Sequence, residues 1–220
     1  MNDRRNTGLK ERMDNKMNKP IALTPPMGWN SWNTFTWDIN EKMICEMADR
    51  MVEDEYLVID DCWSLKQRDA DGNLVPDPEK FPHGMKWVSD YVHGKGLKFG
   101  MYSCAGTHTC AGYPGSFEHE FQHAKKFAEW GVDYLKYDYC FKPRQIPGEI
   151  LYKRMSLALK NCGREILFAA CNWGTDGVYD WIRSSGAHTY RSTGDIQDNW
   201  ESITNLAISQ MGKEPYTGKF

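Results

Sequence analysis

The sequence predicts an α/β protein of the (β/α)8 TIM-barrel type, with about six βα units in its 220 residues. Three observations carry that prediction. Short apolar, β-branched and aromatic runs alternate with segments of helical spacing about six times, the pattern of a parallel sheet. The run at 56–63 opens with consecutive apolar residues, as strands covered on both faces do. Polar residues then cluster just past the runs: Trp32, Asp60 with Asp61, Tyr102, Asp138, Asn172 with Trp173, and Arg191 with Asp195. Doubly wound sheets and barrels both build sites at the carboxyl ends of strands, but contributions from every strand favour the barrel. No Gly-rich phosphate fingerprint follows the first run, which argues against a nucleotide-binding fold.

In chain order, 21–32 gives a short apolar run, a Pro-Pro turn and a Gly between large residues, read as a first strand ending in a loop. Residues 38–52 carry Ile39, Met43, Ile44, Met47 and Met51 at helical spacing, with Asp38 as the expected N-cap. A second strand at 56–63 ends in the adjacent carboxylates Asp60 and Asp61. A Pro- and Gly-rich loop at 72–84 precedes a helix at 85–93 that closes at Gly94. The third strand, 97–102, runs into a loop holding Cys104, His108 and Cys110. A helix at 116–130 and a strand at 132–138 follow. The next pair is a helix at 149–161 and a strand at 166–171. Then come a short helix at 178–184, a strand at 187–190 and a helix at 199–210.

The fourth strand organises the rest. In W-G-V-D-Y-L-K-Y-D-Y-C, Trp130 to Cys140, alternation sends Leu135 and Tyr137 to one face and Lys136 and Asp138 to the other. If the first pair packs on helices, a Lys and an Asp point into the centre of the sheet or barrel. Burial there demands that they pair or meet a polar ligand.

The formal charge of −3 gives no electrostatic case for nucleic acid or acidic membranes. Residues 1–20 hold six Lys/Arg and three Asp/Glu without an apolar run, so they read as a disordered leader rather than a secretory signal or a span. Seven cysteines, an odd and scattered set, point to mostly free thiols and a cytoplasmic setting.

Two carboxylates converging on one pocket suit glycosidic bond cleavage, one attacking or supporting the oxocarbenium-like centre and the other protonating the leaving oxygen. Asp138 and Asp195, past the fourth and sixth strands, are the candidates. Lys136 is expected to help keep Asp138 ionised, and Asp195, as the acid, to have the higher pKa. Asp60, Asp61 and Arg191 would hydrogen-bond sugar hydroxyls. An Asp-rich mouth also suits Mg²⁺ or Ca²⁺, but no metal or other cofactor is expected. His119-Glu120-Phe121-Gln122-His123 matches the zinc-protease pattern H-E-x-x-H. It lacks a convincing third ligand, and its helix reads better as an outer element whose histidines face solvent while Phe117, Phe121, Ala124, Phe127 and Ala128 face the sheet. Cys110 and Cys140 follow strand ends on neighbouring units and could form one disulfide at the mouth or remain two thiols.

Seven motifs in order, T-P-P-M-G-W-N-S-W, I-D-D-C-W, G-M-Y-S-C-A-G, T-C-A-G-Y-P-G-S, the Trp130–Cys140 stretch, C-N-W-G and R-S-T-G-D-I, closely resemble glycoside hydrolase family 27 from about residue 21 to 212. That family comprises α-galactosidases and α-N-acetylgalactosaminidases. The resemblance implies a retaining double displacement with Asp138 as nucleophile and Asp195 as acid/base. It implies that Asp60, Asp61, Lys136 and Arg191 hold galactose hydroxyls, that Trp32 and Tyr102 form pocket walls, and that Cys110 pairs with Cys140. Cys171 and Trp173 match the wall near the sugar's 2-position. Their bulk is the galactosidase version, since an N-acetyl group needs smaller neighbours, and the Asp60–Asp61 pair favours a hexose over the arabinopyranose that some members take. The expected substrate is therefore an oligosaccharide or glycoconjugate with terminal α-galactose.

Three departures accompany the resemblance. The family's seventh and eighth strands, with their N-D-P-D-M-type motif, have no counterpart before Phe220, so a C-terminally incomplete barrel over 21–220 is expected, with self-association through its open edge or loss of catalysis as consequences. The connection at 53–55 is several residues shorter than in the family. Partners of other family disulfides are missing around Trp37 and Ala187, which leaves Cys62 and Cys171 as thiols.

Overall fold

The computed structural model describes residues 21–51 and 55–213; the expected leader at 1–20 and most of the short connection at 53–55 lie outside them. The described chain alternates strands and helices: β1 (Gly28–Asn30), α1 (Trp32–Phe35), α2 (Glu41–Arg50), β2 (Tyr56–Val58), α3 (Gly84–Gly94), β3 (Lys98–Cys104) and α4 (Glu120–Trp130). Then follow β4 (Tyr134–Asp138), α5 (Gly148–Lys160), β5 (Leu167–Cys171), α6 (Val178–Ser185), β6 (Thr189–Tyr190) and α7 (Trp200–Ser209). All six strands are parallel and lie in sequence order in one sheet, a curled partial (β/α)8 barrel with helices between successive strands.

Local chemistry sets the element ends. Asn40, not Asp38, caps α2: its side chain accepts from the Met43 amide at 3.0 Å. Ile39, 2 % exposed, is drawn into the core just before the helix and shifts the start. Gly131 ends α4 in the left-handed conformation, φ 83°, where a side chain is strained. β1 lies after the Pro pair rather than on the apolar run before it, because Ile21 and Ala22 pack inside the curl of the sheet.

Strand alternation separates two packed faces. Leu57, Phe99, Met101, Leu135, Tyr137, Phe168 and Ala170 face the helices and join the main core with Ile44, Val88, Phe127, Leu151 and Ile182. The opposite set, Tyr56, Val58, Leu167 and Ala169 with Tyr134, forms the small inner cluster. Gly100 serves that interior, since a Cβ there would meet Val58 Cγ2 at 2.7 Å and Tyr134 Cβ at 3.2 Å. Registration stacks Tyr102 beside Lys136 and Lys136 beside Ala169; one layer on, Cys104, Asp138 and Cys171 are adjacent. The face predicted for Lys136 and Asp138 is therefore the inner one.

Among the described residues β1 and β6 each pair on one side only. No residue of α7 is buried, and Trp200, Ile203 and Ile208 stand exposed. No described helix is long and apolar enough to cross a membrane.

Candidate active site

The inward residues at the carboxyl ends of β2, β3 and β4 form two neighbouring hydrogen-bonded sets, one around Asp60 and one around Asp138. Asp60 is 1 % exposed. Its Oδ2 accepts from Lys136 Nζ at 2.7 Å and from Asn30 Nδ2 at 2.7 Å, and its Oδ1 accepts from the Asp61 amide at 2.9 Å. Asp61 Oδ1 accepts from the Cys62 amide at 2.7 Å and Oδ2 from the Ala111 amide at 3.2 Å. Asp138 Oδ1 accepts from the Tyr139 amide and Oδ2 from the Tyr102 hydroxyl, both at 2.9 Å. Lys136 Nζ also lies 5.3 Å from the Tyr102 ring centroid, a cation–π contact.

Electrostatics follow from that burial. Desolvation pushes the Asp138 pKa above the usual carboxylate value, and the Lys136 charge and Tyr102 hydroxyl pull it back without cancelling the shift. Lys136 thus helps to keep Asp138 ionised, as expected, while its ammonium binds Asp60; burial still leaves the net shift upward. Asp61 is also raised by burial, against hydrogen bonds from Thr109, Cys62 and Ala111. Burial lowers the Lys136 pKa, yet Asp60, Cys171 and Asp138 together outweigh it and the net shift is upward, so the ammonium stays charged. Burial and then Asp138 raise the Cys171 thiol to about 12.

The other residues picked from sequence stand around these two sets. Arg191 bonds Asp195 Oδ1 at 2.6 Å and the Thr193 carbonyl at 3.2 Å, and its guanidinium also interacts with Cys171. Asp195, with a side chain 77 % exposed, lies five residues past β6 and makes no described contact with Asp138. Trp32 is half-buried and bonds Asn30 through its amide. Trp173, at φ 59°, packs edge-on against Tyr139 at 6.3 Å. Cys110 and Cys140 are joined as a disulfide, Cα–Cα 5.2 Å, with Cys110 Sγ 3.9 Å from Asp138 Oδ2. Gly106 permits the loop to approach: a Cβ there would lie 1.9 Å from the Cys140 carbonyl oxygen. Cys62 and Cys171 are free thiols.

Sequence reasoning missed Asn30 and Ser31. Both lie in the W-N-S-W motif, where two small polar residues between tryptophans were the available signal. Asn30 bonds Asp60, and Ser31 Oγ accepts from the Asp60 amide at 2.9 Å.

The H-E-x-x-H helix is corrected in detail. His123 is 1 % exposed and Phe121 54 % exposed, the reverse of the expected faces. Arg68 donates to His123 Nε2 at 2.7 Å, which leaves Nδ1–H to donate to Ser116 Oγ at 2.8 Å. Glu120 pairs with Arg154 at 3.0 Å. With both of its ring nitrogens engaged, His123 offers no lone pair to a metal and acts as a structural anchor. Burial first and then Arg68 hold the His123 pKa at about 3. The unfolded ring titrates near 6.5, so this stabilisation is complete above that pH and is lost on acidification toward 3. Between pH 7 and 4.5, wild type should lose about 2–3 kcal/mol more than His123→Gln in urea unfolding; equal losses would contradict the assignment.

A cavity of about 330 Å³, lined in part by Ile21, Glu55, Lys98, Asp133 and Glu165, opens at the amino ends of the strands, away from Asp138. Within it Lys98 is paired with Glu55, and Asp133 with Arg164 and His93. Barrel chemistry sits at the opposite face, so the carboxylates and not this cavity mark the site. The Asp60 and Asp61 oxygens are likewise occupied by protein donors, which disfavours Mg²⁺ or Ca²⁺ there.

The family model described as "Alpha galactosidase A" (Melibiase_2) matches residues 24–214. "Alpha-galactosidase 2" of Arabidopsis thaliana is 50 % identical over 208 residues, covering 91 % of this chain and 52 % of that protein. The Coffea arabica "Alpha-galactosidase" is 51 % identical over 195 residues, 85 % of this chain and 51 % of the relative. The structure of a Saccharomyces cerevisiae α-galactosidase with raffinose superposes with a TM-score of 0.76 at 43 % identity, covering 81 % of this chain and 42 % of that one. The chain spans about half the length of the curated relatives it matches.

Proposed function

Because the chain belongs to the α-galactosidase family, glycoside hydrolase family 27, we propose that it releases terminal α-linked galactose from oligosaccharides or glycoconjugates by double displacement. The observation that supports this best is Asp138, a buried carboxylate at a strand's carboxyl end whose two oxygens are held by the Tyr139 amide and the Tyr102 hydroxyl. Such tethering fixes the angle of attack before the sugar arrives.

In this reading Asp138 attacks the anomeric carbon while Asp195 protonates the leaving oxygen, giving a galactosyl-enzyme. Asp195 then takes a proton from water, which displaces Asp138 and restores the α configuration. Asp195 begins paired with Arg191. In this reading substrate draws the guanidinium onto a sugar hydroxyl and so frees the Asp195 carboxyl to face the leaving oxygen. Asp60, Asp61 and Lys136 bind further hydroxyls, with Trp32, Tyr102, Cys171 and Trp173 as walls. The raffinose complex of the yeast relative supports an oligosaccharide as the substrate class. The five free cysteines support a cytoplasmic setting.

The test is turnover of p-nitrophenyl α-galactoside with the first-formed sugar read by NMR. α-Galactose appearing first is expected. β-Galactose first, or no turnover by folded protein, would overturn the proposal.

We further propose that the open sheet edges drive self-association. Among the described residues β1 and β6 each pair on one side only, and α7, which follows β6 in the chain, exposes Trp200, Ile203 and Ile208. Light scattering should give more than one chain per particle, reduced to one by Ile203→Glu with Ile208→Glu. A monomeric wild type at micromolar concentration would contradict it.

A further inference from the structure

We propose that reduction of the Cys110–Cys140 disulfide creates a soft-metal site with Asp138, selective for Zn²⁺-like ions. The two sulfurs and an Asp138 oxygen already lie within 4.8 Å of one another, and Cys110 Sγ is 3.9 Å from Asp138 Oδ2. Tetrahedral zinc with bonds of about 2.3 Å to sulfur and 2.0 Å to oxygen needs S···S near 3.8 Å and S···O near 3.5 Å. The Cα–Cα distance of 5.2 Å lets two separated thiolates meet the first value, and a few tenths of an ångström meets the second. Asp138 is already oriented: Oδ1 is held by the Tyr139 amide and Oδ2 by the Tyr102 hydroxyl, and Oδ2 keeps a second lone pair. Three protein ligands leave the fourth position for water, the arrangement of an open zinc site. Thiolates select zinc over magnesium or calcium.

The chemistry balances with a dithiol as reductant. The Cys110–Cys140 bond breaks, each sulfur gains a hydrogen, and the reductant's two thiols become its own disulfide. Metal binding then releases one proton from each cysteine and forms two metal–sulfur bonds and one metal–oxygen bond, Asp138 entering as carboxylate. The metal thereby occupies the carboxylate assigned above to attack on the sugar. That inhibition rests on the hydrolase proposal, whereas metal binding does not.

The experiment is anaerobic titration of the dithiol-reduced, desalted protein with Co²⁺, followed by absorption. One equivalent should raise a thiolate-to-cobalt charge-transfer band and the intense visible bands of a tetrahedral site, with Zn²⁺ displacing both. The oxidised protein retains its five other cysteines and should show neither band, as should the reduced Cys110→Ser/Cys140→Ser variant. Asp138→Asn should keep the charge-transfer band and weaken binding by about tenfold or more. Equal bands in oxidised and reduced wild type, no band in the reduced protein, or unchanged affinity in Asp138→Asn would each overturn the proposal. Because the titration needs no turnover, an inactive chain that binds cobalt as described refutes only the hydrolase reading.

Discussion

Asp138→Ala should lower p-nitrophenol release from the α-galactoside by about 10³-fold or more, equal to about 4 kcal/mol on the barrier. The size follows from the role, because without the carboxylate no galactosyl-enzyme forms and water must attack unaided. The fold should survive. Asp138 gives up one hydrogen bond from the Tyr102 hydroxyl and one from the Tyr139 amide, while Tyr102 remains packed, 1 % exposed, and tied through its carbonyl to Trp63 Nε1 at 3.0 Å. The wild-type acid limb should also be displaced. Attack requires the carboxylate form, and burial raises the Asp138 pKa above its usual value. Activity should therefore fall with decreasing pH earlier than an ordinary aspartate would dictate. Wild-type rates in the alanine variant would remove Asp138 from the mechanism.

Lys136→Ala should cost about 3 kcal/mol of stability, read as a lower urea midpoint, in addition to weakening turnover. It leaves the Asp60 carboxylate, 1 % exposed, without its ammonium at 2.7 Å, and a buried charge that loses its partner is costly. Asn30 and the Asp61 amide still bond Asp60, and the Lys136 side chain is 20 % exposed, so water relieves part of the loss. Asp60→Asn in the same chain should recover about 1–3 kcal/mol, because the stranded charge is gone. A single-variant cost below about 1 kcal/mol would mean that the pair is not the strut that the inner layer implies.

Much of this was legible because periodicity and capping speak locally. The alternation of Leu135 and Tyr137 with Lys136 and Asp138 gave the two faces of β4, and the apolar run from Tyr56 gave a strand buried on both sides. The order of six βα units followed from their spacing alone. What was misread depends on distant partners. Nothing near His123 announces that Arg68, 55 residues earlier, supplies its hydrogen bond; without it a polar ring belongs outside and Phe121 inside. Asp38 and Asn40 are both competent caps, and burial of Ile39 between them decides for Asn40. Ile21 and Ala22 looked like strand residues, yet they pack in the inner curl against the cluster of Tyr56 and Leu167, a contact defined by the curl of the sheet and not by the local sequence. Two positions along the strand announced that the Lys136 charge acts on Asp138, as it does; that the ammonium itself bonds Asp60, 76 residues away, was not written in that stretch.

The most direct test of the central claim is to trap the galactosyl-enzyme with a 2-deoxy-2-fluoro-galactosyl substrate and map the adduct by mass spectrometry. A fluorogalactosyl group on the peptide containing Asp138, absent in Asp138→Ala, is the result predicted here. Label on another carboxylate, or turnover of the parent galactoside by an Asp138→Ala protein that takes no label, would contradict it.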